Sequence, residues 1–319
     1  MTHKYFELNT HILNHSVEIG KLLGIVDSTF LRKPSAKLRK ANQIKSIQSS
    51  LAIEGNTLTE EQVTAILNNQ KVIGPSKDIL EVKNAIETYN NIQTFKYHNE
   101  SSYKKAHKSL MKGLIKNAGK YRTSGVGIFK GSKPTHIAPP AWNVPNLMRD
   151  LFKYLKNSND NYLIKSCVFH YEMEFIHPFL DGNGRMGRLW QTVILMNENP
   201  VFEFLPIEHE IKKEQSNYYK ALELSDKQGK CTEFVVYMLS IIKSCLSDLI
   251  TTQRQNFTDE QRLKYFVDNH TNRQFVRKDY MNVFKNISTA TASRDLKKGV
   301  ELGLWEKLGD NRKTIYTIT

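Results

Sequence analysis

Cysteine is scarce in this chain, with only Cys167, Cys231 and Cys245 among 319 residues. An odd number without C-x-x-C spacing argues against both a disulfide frame and a zinc site, and leaves three reduced, structural thiols. Long apolar runs are missing too: no segment approaches the roughly 18 apolar residues of a membrane span, so no membrane association is expected. The opening Met1-Thr2-His3-Lys4-Tyr5 lacks an apolar run followed by small residues, so no secretory signal is read and the cytoplasm is the expected location. No internal repeat or low-complexity tract appears. Acidic residues are in deficit, 32 against 46 Lys and Arg, for a net charge of +14. That excess suits an acidic partner such as nucleic acid, nucleotide or an acidic protein face. Part of it, however, is Lys104, Lys105, Lys108, Lys112, Lys116 and Lys120 along one predicted helical region, which reads as solvated lysine.

What is present is an ordinary globular composition, 39% hydrophobic and 24% charged, long enough for two or three domains. A basic helix is expected over 36–48, and Thr59-Glu60-Glu61-Gln62 reads as a capping box opening a second helix through Leu67. Helical period returns over 79–95. Glycines with Pro134, Pro139 and Pro140 make 125–140 a hairpin or flap. A further helix is expected over 144–155. Leu163, Ile164, Cys167, Val168, Tyr171 and Phe175 mark one face of the next, which ends at His177-Pro178. Leu189, Trp190, Val193, Ile194 and Met196 then resume a helical pattern. A polar stretch at 251–258 is the candidate linker to a small C-terminal domain. There Ser288 caps a helix over 289–301 that carries Ala292, Leu296 and Val300 on one face, followed by strand-like residues around Gly309-Asp310-Asn311.

Chemistry concentrates in His177-Pro178-Phe179-Leu180-Asp181-Gly182-Asn183-Gly184-Arg185-Met186-Gly187-Arg188. Gly182 and Gly184 let successive N–H groups point at one oxyanion just before a helix N-terminus. Arg185 and Arg188, in the first turn, add charge-assisted contacts to further phosphate oxygens. Asp181 offers a hard carboxylate oxygen for Mg²⁺ beside those phosphates. His177, with an ordinary pKa of about 6.5, suits removal of a proton from an attacking hydroxyl. Each element alone has a structural explanation, a capping histidine or a D-G-N-G turn. A base, a metal carboxylate, a glycine nest and two arginines within twelve positions have few.

This run resembles the Fic family signature, H-P-F-x-[DE]-G-N-G-R-x-x-R, at every defined position. The resemblance implies a mainly α fold: a Fic-type helical core with a small β-hairpin flap, plus a C-terminal winged helix-turn-helix domain. It implies a protein AMP transferase using ATP and Mg²⁺, in which His177 deprotonates the target hydroxyl, Asp181 holds the metal and Asn183 orients the phosphate under attack. Arg185 and Arg188 would grip the outer phosphates, and Gly182, Gly184, Met186 and Gly187 complete the nucleotide-binding run. Doc-type members, which phosphorylate, typically carry lysine where this chain has Gly184. Tyr121 to Phe129 followed by Ala138-Pro139-Pro140 resembles the family's flap, so Val126, Gly127, Ile128 and Phe129 would dock the target backbone by strand addition, with Phe129 standing where relatives often have glycine. Tyr218 and Tyr219 resemble a tyrosine pair near the adenine, with core packing as the other reading.

Ser50-Leu51-Ala52-Ile53-Glu54-Gly55 resembles the inhibitory signature [ST]-x-x-x-E-[GN]. Ser50 and Glu54 are one helical turn apart, so Glu54 could project from a helix end toward a cationic pocket or be an ordinary surface carboxylate. The inhibitory reading pairs Glu54 with Arg188, and some relatives use this glutamate to remove AMP as well. The expected division is 1–100, an N-terminal helical region with the inhibitory motif; 101–250, the Fic catalytic core; and 257–319, the winged helix-turn-helix. From Phe257 onward 12 Lys and Arg face 8 Asp and Glu. Arg294, Lys297 and Lys298 on the presumed recognition helix, with Arg312 in the wing, make DNA a candidate partner; a protein-docking or dimer-forming role is the other reading. The expected partners are a target protein with a Ser, Thr or Tyr hydroxyl, the chain itself, DNA and a second copy in a homodimer. The competing functional class is a nucleotide-sensing, DNA-binding transcriptional regulator.

Overall fold

The protein is described from a computed structural model over residues 5–28, 35–130, 133–254, 257–285, 287–309 and 314–319. Its contacts divide it into two compact units, 1–19 with 35–245 and 20–34 with 246–319. The fold is mainly helical. In the first unit α1 (Thr10–Ser28) begins, followed by α2 (Ala36–Ile53), α3 (Glu60–Leu67), α4 (Ser76–Asn90) and α5 (Glu100–Leu110). A hairpin of β1 (Gly127–Lys130) and β2 (Lys133–Ile137) follows, antiparallel, with a bulge between Ile128 and Phe129. Then come α6 (Val144–Asn157), α7 (Tyr162–Ile176), α8 (Asn183–Glu198), α9 (Ile207–Lys213), α10 (Gln215–Gln228) and α11 (Thr232–Arg254), in which the division falls.

Local chemistry explains several boundaries. Thr59 and Gln62 form the expected reciprocal capping box at the start of α3. The helix expected to stop at Gln48 runs on through Ile53. Its polar end is buried and bonded: Gln48 donates to the Leu58 carbonyl at 3.0 Å, and Ser49 bonds His209 at 3.2 Å. The helical stretch expected over 79–95 is α4 followed by a separate 3₁₀ turn at Ile92–Thr94. Phe175, expected on the inner face of α7, is 37% exposed, while Phe169, Met173 and Ile176 lie inside. Helices α7 and α8 pack against each other and are largely buried. Tyr103 from α5 packs against Phe152, Phe169, Phe179 and Trp190, so the loop between those helices is seated on the aromatic core through Phe179.

Contrary to the expectation of no sufficiently apolar run, Thr232–Thr252 is long and apolar enough to cross a bilayer; 56% of its most apolar window is buried within the protein, as in a core helix. That helix also overturns the linker expected from Thr251: backbone helix continues through Arg254, and 255–256 lie outside the described residues.

The second unit orders α12 (Asp259–Asn269), β3 (Gln274–Phe275), α13 (Arg277–Val283), α14 (Thr289–Glu301), β4 (Trp305–Leu308) and β5 (Ile315–Ile318). The strands form one antiparallel sheet in the order β3-β5-β4. Ser288 caps α14 through the Thr291 N–H, as its sequence suggests. Trp305 is buried against α14, where Gly299 leaves no room for a side chain. Asp295 is buried in an ion pair with Arg262 and accepts from the Tyr280 hydroxyl. The strand-like tip expected around Gly309-Asp310-Asn311 falls between β4 and β5, and 310–313, with Arg312, lie outside the described residues.

Candidate functional site

The α7–α8 loop turns on an unusual backbone. His177 caps α7 in the left-handed region at φ 50, a conformation that costs a non-glycine residue free energy and is retained where surroundings enforce it. Arg122 supplies much of that enforcement. Its Nε donates to the His177 carbonyl at 2.7 Å, its Nη2 to the carbonyls of Ile176 and Pro139, and its Nη1 to that of Ser124 at 2.9 Å. The same residue's N–H donates to the Pro178 carbonyl at 2.9 Å. One buried guanidinium therefore joins the catalytic-loop candidate to both ends of the hairpin.

Asn183 braces the loop from the other side. Its Oδ1 accepts from the Phe179 N–H and its Nδ2 donates to the Phe179 carbonyl, each at 2.9 Å. The side chain expected to orient the phosphate thus closes the loop with one donor and one acceptor of its amide, and the first-turn N–H groups of α8 lack intrahelical acceptors. Gly182 precedes them at φ 84, with the Met111 side chain where a Cβ would fall.

Asp181 keeps 47% of its side chain exposed; its Oδ1 accepts from the Gly182 N–H at 2.6 Å and pairs with Arg185 Nη2 at 3.0 Å. Arg185 is buried, with Glu81 on its other side at 3.1 Å. Glu81 also accepts from Asn56, the residue after the Ser50–Gly55 run, at 2.9 Å. Arg188 is buried as well. Its Nε donates to Ser50 Oγ at 3.1 Å, and its Nη2 to the Ser50 carbonyl at 2.9 Å and to Glu54 Oε1 at 2.7 Å. Burial works against the charge on Arg188, but the Glu54 carboxylate, together with Tyr218 and Glu174, outweighs that and raises the guanidinium pKa.

Glu54 is the C-cap of α2 and reaches over the first turn of α8. Gly184 makes that approach possible, because a Cβ there would collide with Glu54 Oε1. Gly187 serves a different contact: a Cβ would press on the His170 ring and on Glu174 Oε1 at 2.9 Å, so it sets the close packing of α8 on α7. Met186 likewise faces the core. These two members of the nucleotide-binding run build the helix pair and present no side-chain surface.

The tyrosine pair is divided. Tyr218 is 1% exposed and bonds His170 Nε2 at 3.1 Å, whereas Tyr219 is 47% exposed. Only Tyr219 has an open ring face. Burial lowers the His170 pKa to about 3, with Gln191 Oε1 at 2.7 Å from its Nδ1. In the hairpin, Gly127, Ile128 and Phe129 lie on β1 and Val126 just precedes it; the side chains of 127–137 lie outside the described ones. In the second unit, Arg294 and Lys297 are exposed on α14, while Lys298 is drawn to Asp259 at 2.9 Å and Glu260 at 3.2 Å.

Sequence patterns missed three participants. Glu81 and His107 lie far from the loop along the chain and belong to no local motif, while Arg122, inside the flap-like run Tyr121 to Phe129, was given no role of its own. His107 stacks on Phe179 at 3.5 Å, accepts from the Gly119 N–H through Nδ1 at 2.8 Å, and so donates from Nε2 to the Asp181 carbonyl at 3.0 Å. Burial lowers its pKa to about 4.

Comparison with known proteins places this geometry in context. Residues 97–195 match the Fic/DOC family profile. Across its whole length the chain is similar to the crystal structure of a Fic family protein from Desulfovibrio desulfuricans G20, with 37% identity, 98% of that chain covered and a TM-score of 0.76. Fic-1 (residues 134–508) from C. elegans shares the fold over 77% of this chain and 74% of its own, at 20% identity and a TM-score of 0.64. Among curated proteins it resembles protein adenylyltransferase fic-1 of Caenorhabditis briggsae, 28% identical over 67% of this chain and 45% of that protein. It also resembles protein adenylyltransferase Fic of Drosophila grimshawi, 26% identical over 68% and 45%. The chain spans less than half the length of these curated relatives.

Proposed function

Because this chain belongs to the Fic family, we propose that it moves AMP from ATP to a hydroxyl side chain of a target protein and holds itself back through Glu54. The observation that carries the proposal is the convergence of His177, the α8 N-terminus and Arg188 on one loop, with Glu54 seated on Arg188. His177 takes the proton from the target hydroxyl as its oxygen attacks the α-phosphorus; the bond to the bridging oxygen breaks and pyrophosphate leaves. First-turn N–H groups of α8 and the arginines stabilise the phosphate charge, so positioning and electrostatics supply most of the rate. Asp181, exposed beside that helix end, fits a Mg²⁺ held by one carboxylate with substrate phosphates completing its shell, which would neutralise phosphate charge. Among the described residues no group of three His, Cys, Asp or Glu forms a dedicated metal cage.

Glu54 occupies the guanidinium that the outer phosphate would need. It therefore competes with productive ATP, and removal of AMP from the target with help from Glu54 belongs to the same proposal. Tyr219 offers the face for adenine and Tyr218 supports it from below. We assign the hairpin to the target backbone, the region before about residue 100 to restraint, the core to chemistry and 257–319 to a winged helix-turn-helix. Helix, strand, two helices and two strands in that order support this last assignment.

Labelling with α-³²P-ATP tests the centre of the proposal. Glu54→Gly should raise self-modification at least about tenfold, since Arg188 loses its competitor, a charged contact of about 1.5–3 kcal/mol. His177→Ala should abolish it. Equal labelling of both variants and the parent protein refutes the assignments.

A further inference from the structure

One hydrogen bond away from the Ser50–Arg188 contact lies a cavity of about 310 Å³ that the reaction above does not use. Its walls include Arg39 and Ser46 of α2, Tyr89 of α4, Thr192 of α8, Phe204 at the end of the 3₁₀ turn Pro200–Phe204, and Glu208 of α9. Glu208 is 1% exposed. Its Oε1 accepts from the Tyr89 hydroxyl at 2.8 Å, while its Oε2 is buried with no hydrogen-bond partner. On the opposite polarity, Arg39 lies over the Phe204 ring at 5.4 Å and its Nε is buried without an acceptor.

A buried acceptor and a buried donor, both unmatched in one cavity, call for an occupant that supplies both roles. The other charged groups on the wall are already engaged. Lys40 Nζ bonds Asn68 at 2.9 Å, and Glu203 accepts from Gln93 at 2.7 Å. Arg39 and Lys40 against Glu203 and Glu208 balance the charge on the wall, which suits a zwitterion better than an ion of either sign. At about 30 Å³ per water-sized group, the volume holds roughly ten non-hydrogen atoms, the size of a free amino acid.

The cavity also connects to the restraint. The Tyr89 hydroxyl that holds Glu208 is within bonding reach of Ser50 as well, and Ser50 holds Arg188 through both its hydroxyl and its carbonyl. Thr192 reaches the Arg188 carbonyl from the cavity wall at 3.4 Å.

We infer that this cavity is a binding site for a small zwitterion of the α-amino-acid type, ammonium on Glu208 and carboxylate on Arg39, and that its occupant stiffens the Ser50–Glu54 segment. The site is independent of adenylyl transfer and is tested without it. The full chain is titrated with the proteinogenic L-amino acids one by one, following melting temperature and heat of binding. Hydrogen–deuterium exchange over 46–55 is followed with and without each probe. At least one probe should raise the melting temperature and slow exchange over 46–55. Its affinity should fall at least about tenfold in Glu208→Gln and Arg39→Gln, each of which removes a charged partner, and vanish in Ser46→Leu, which fills the space. Arg39 is only partly buried, so its variant keeps the test decisive if Glu208→Gln does not fold. Failure of every probe means that the cavity holds water only and overturns the site. Equal binding by the parent protein and the Arg39 and Ser46 variants places the ligand elsewhere and overturns it too; binding without slower exchange overturns the coupling.

Discussion

His107 lies flat on Phe179 with both ring nitrogens engaged, and its pKa falls to about 4 because the neutral ring is the one its buried position accepts. In the unfolded chain the same ring titrates near 6.5. Above that pH it is neutral in both states and costs nothing. Below it the unfolded chain takes up a proton that the folded chain refuses, so stability falls as pH drops from about 6.5 toward 4. At pH 5 the loss is roughly 2 kcal/mol from this ring, at about 1.4 kcal/mol per unit, and His170, lowered to about 3, adds a similar amount. Urea unfolding at pH 7 and pH 5 should show the combined fall in the parent protein and about half of it in His107→Gln; an unchanged fall in the variant refutes the account. Neither histidine stands out in the sequence, because burial and stacking are decided by Phe179, Gln191 and Tyr218. His177 and Asp181 were legible because their neighbours in the chain are also their neighbours in space.

Helix α3 and helix α2 show where element boundaries can and cannot be read locally. The capping box of α3 closes within four residues, so Thr59 and Gln62 announce it in the sequence. Thr59→Ala should cost about 1 kcal/mol, read as a lower urea midpoint at unchanged slope. The last turns of α2 give no such signal. Gln48, Ser49 and Ser50 look like the end of a helix, yet each is buried against a partner from elsewhere: the Leu58 carbonyl, His209 and Arg188. Their polarity is matched by tertiary contacts, and that is why the helix continues to Ile53 and delivers Glu54 to the first turn of α8. The bracing roles of Glu81 and Arg122 were invisible for the same reason: what each carboxylate or guanidinium binds is set by packing between elements.

At the scale of the molecule, the excess of positive charge is not spread evenly in its availability. Lys298 is drawn to Asp259 and Glu260, whereas Arg294 and Lys297 are exposed on α14, Lys297 with Glu301 at 3.8 Å. If this face contacts duplex DNA, the full chain should retard it at low salt, with affinity falling as salt rises. Arg294→Ala and Lys297→Ala should each lower the slope of log affinity against log salt by about one. No retardation at low salt removes DNA as a partner. The mainly helical architecture and hairpin were legible from period and glycine–proline spacing. The membrane-length helix α11 and its passage into the expected linker were not, since Thr251 and Thr252 are polar and exposed and read as the start of a loop. Glu54 and Arg188 stand 134 positions apart on a single polypeptide. Their encounter is unimolecular, so its strength does not change when the protein is diluted, and a free competitor must match the effective concentration that tethering confers.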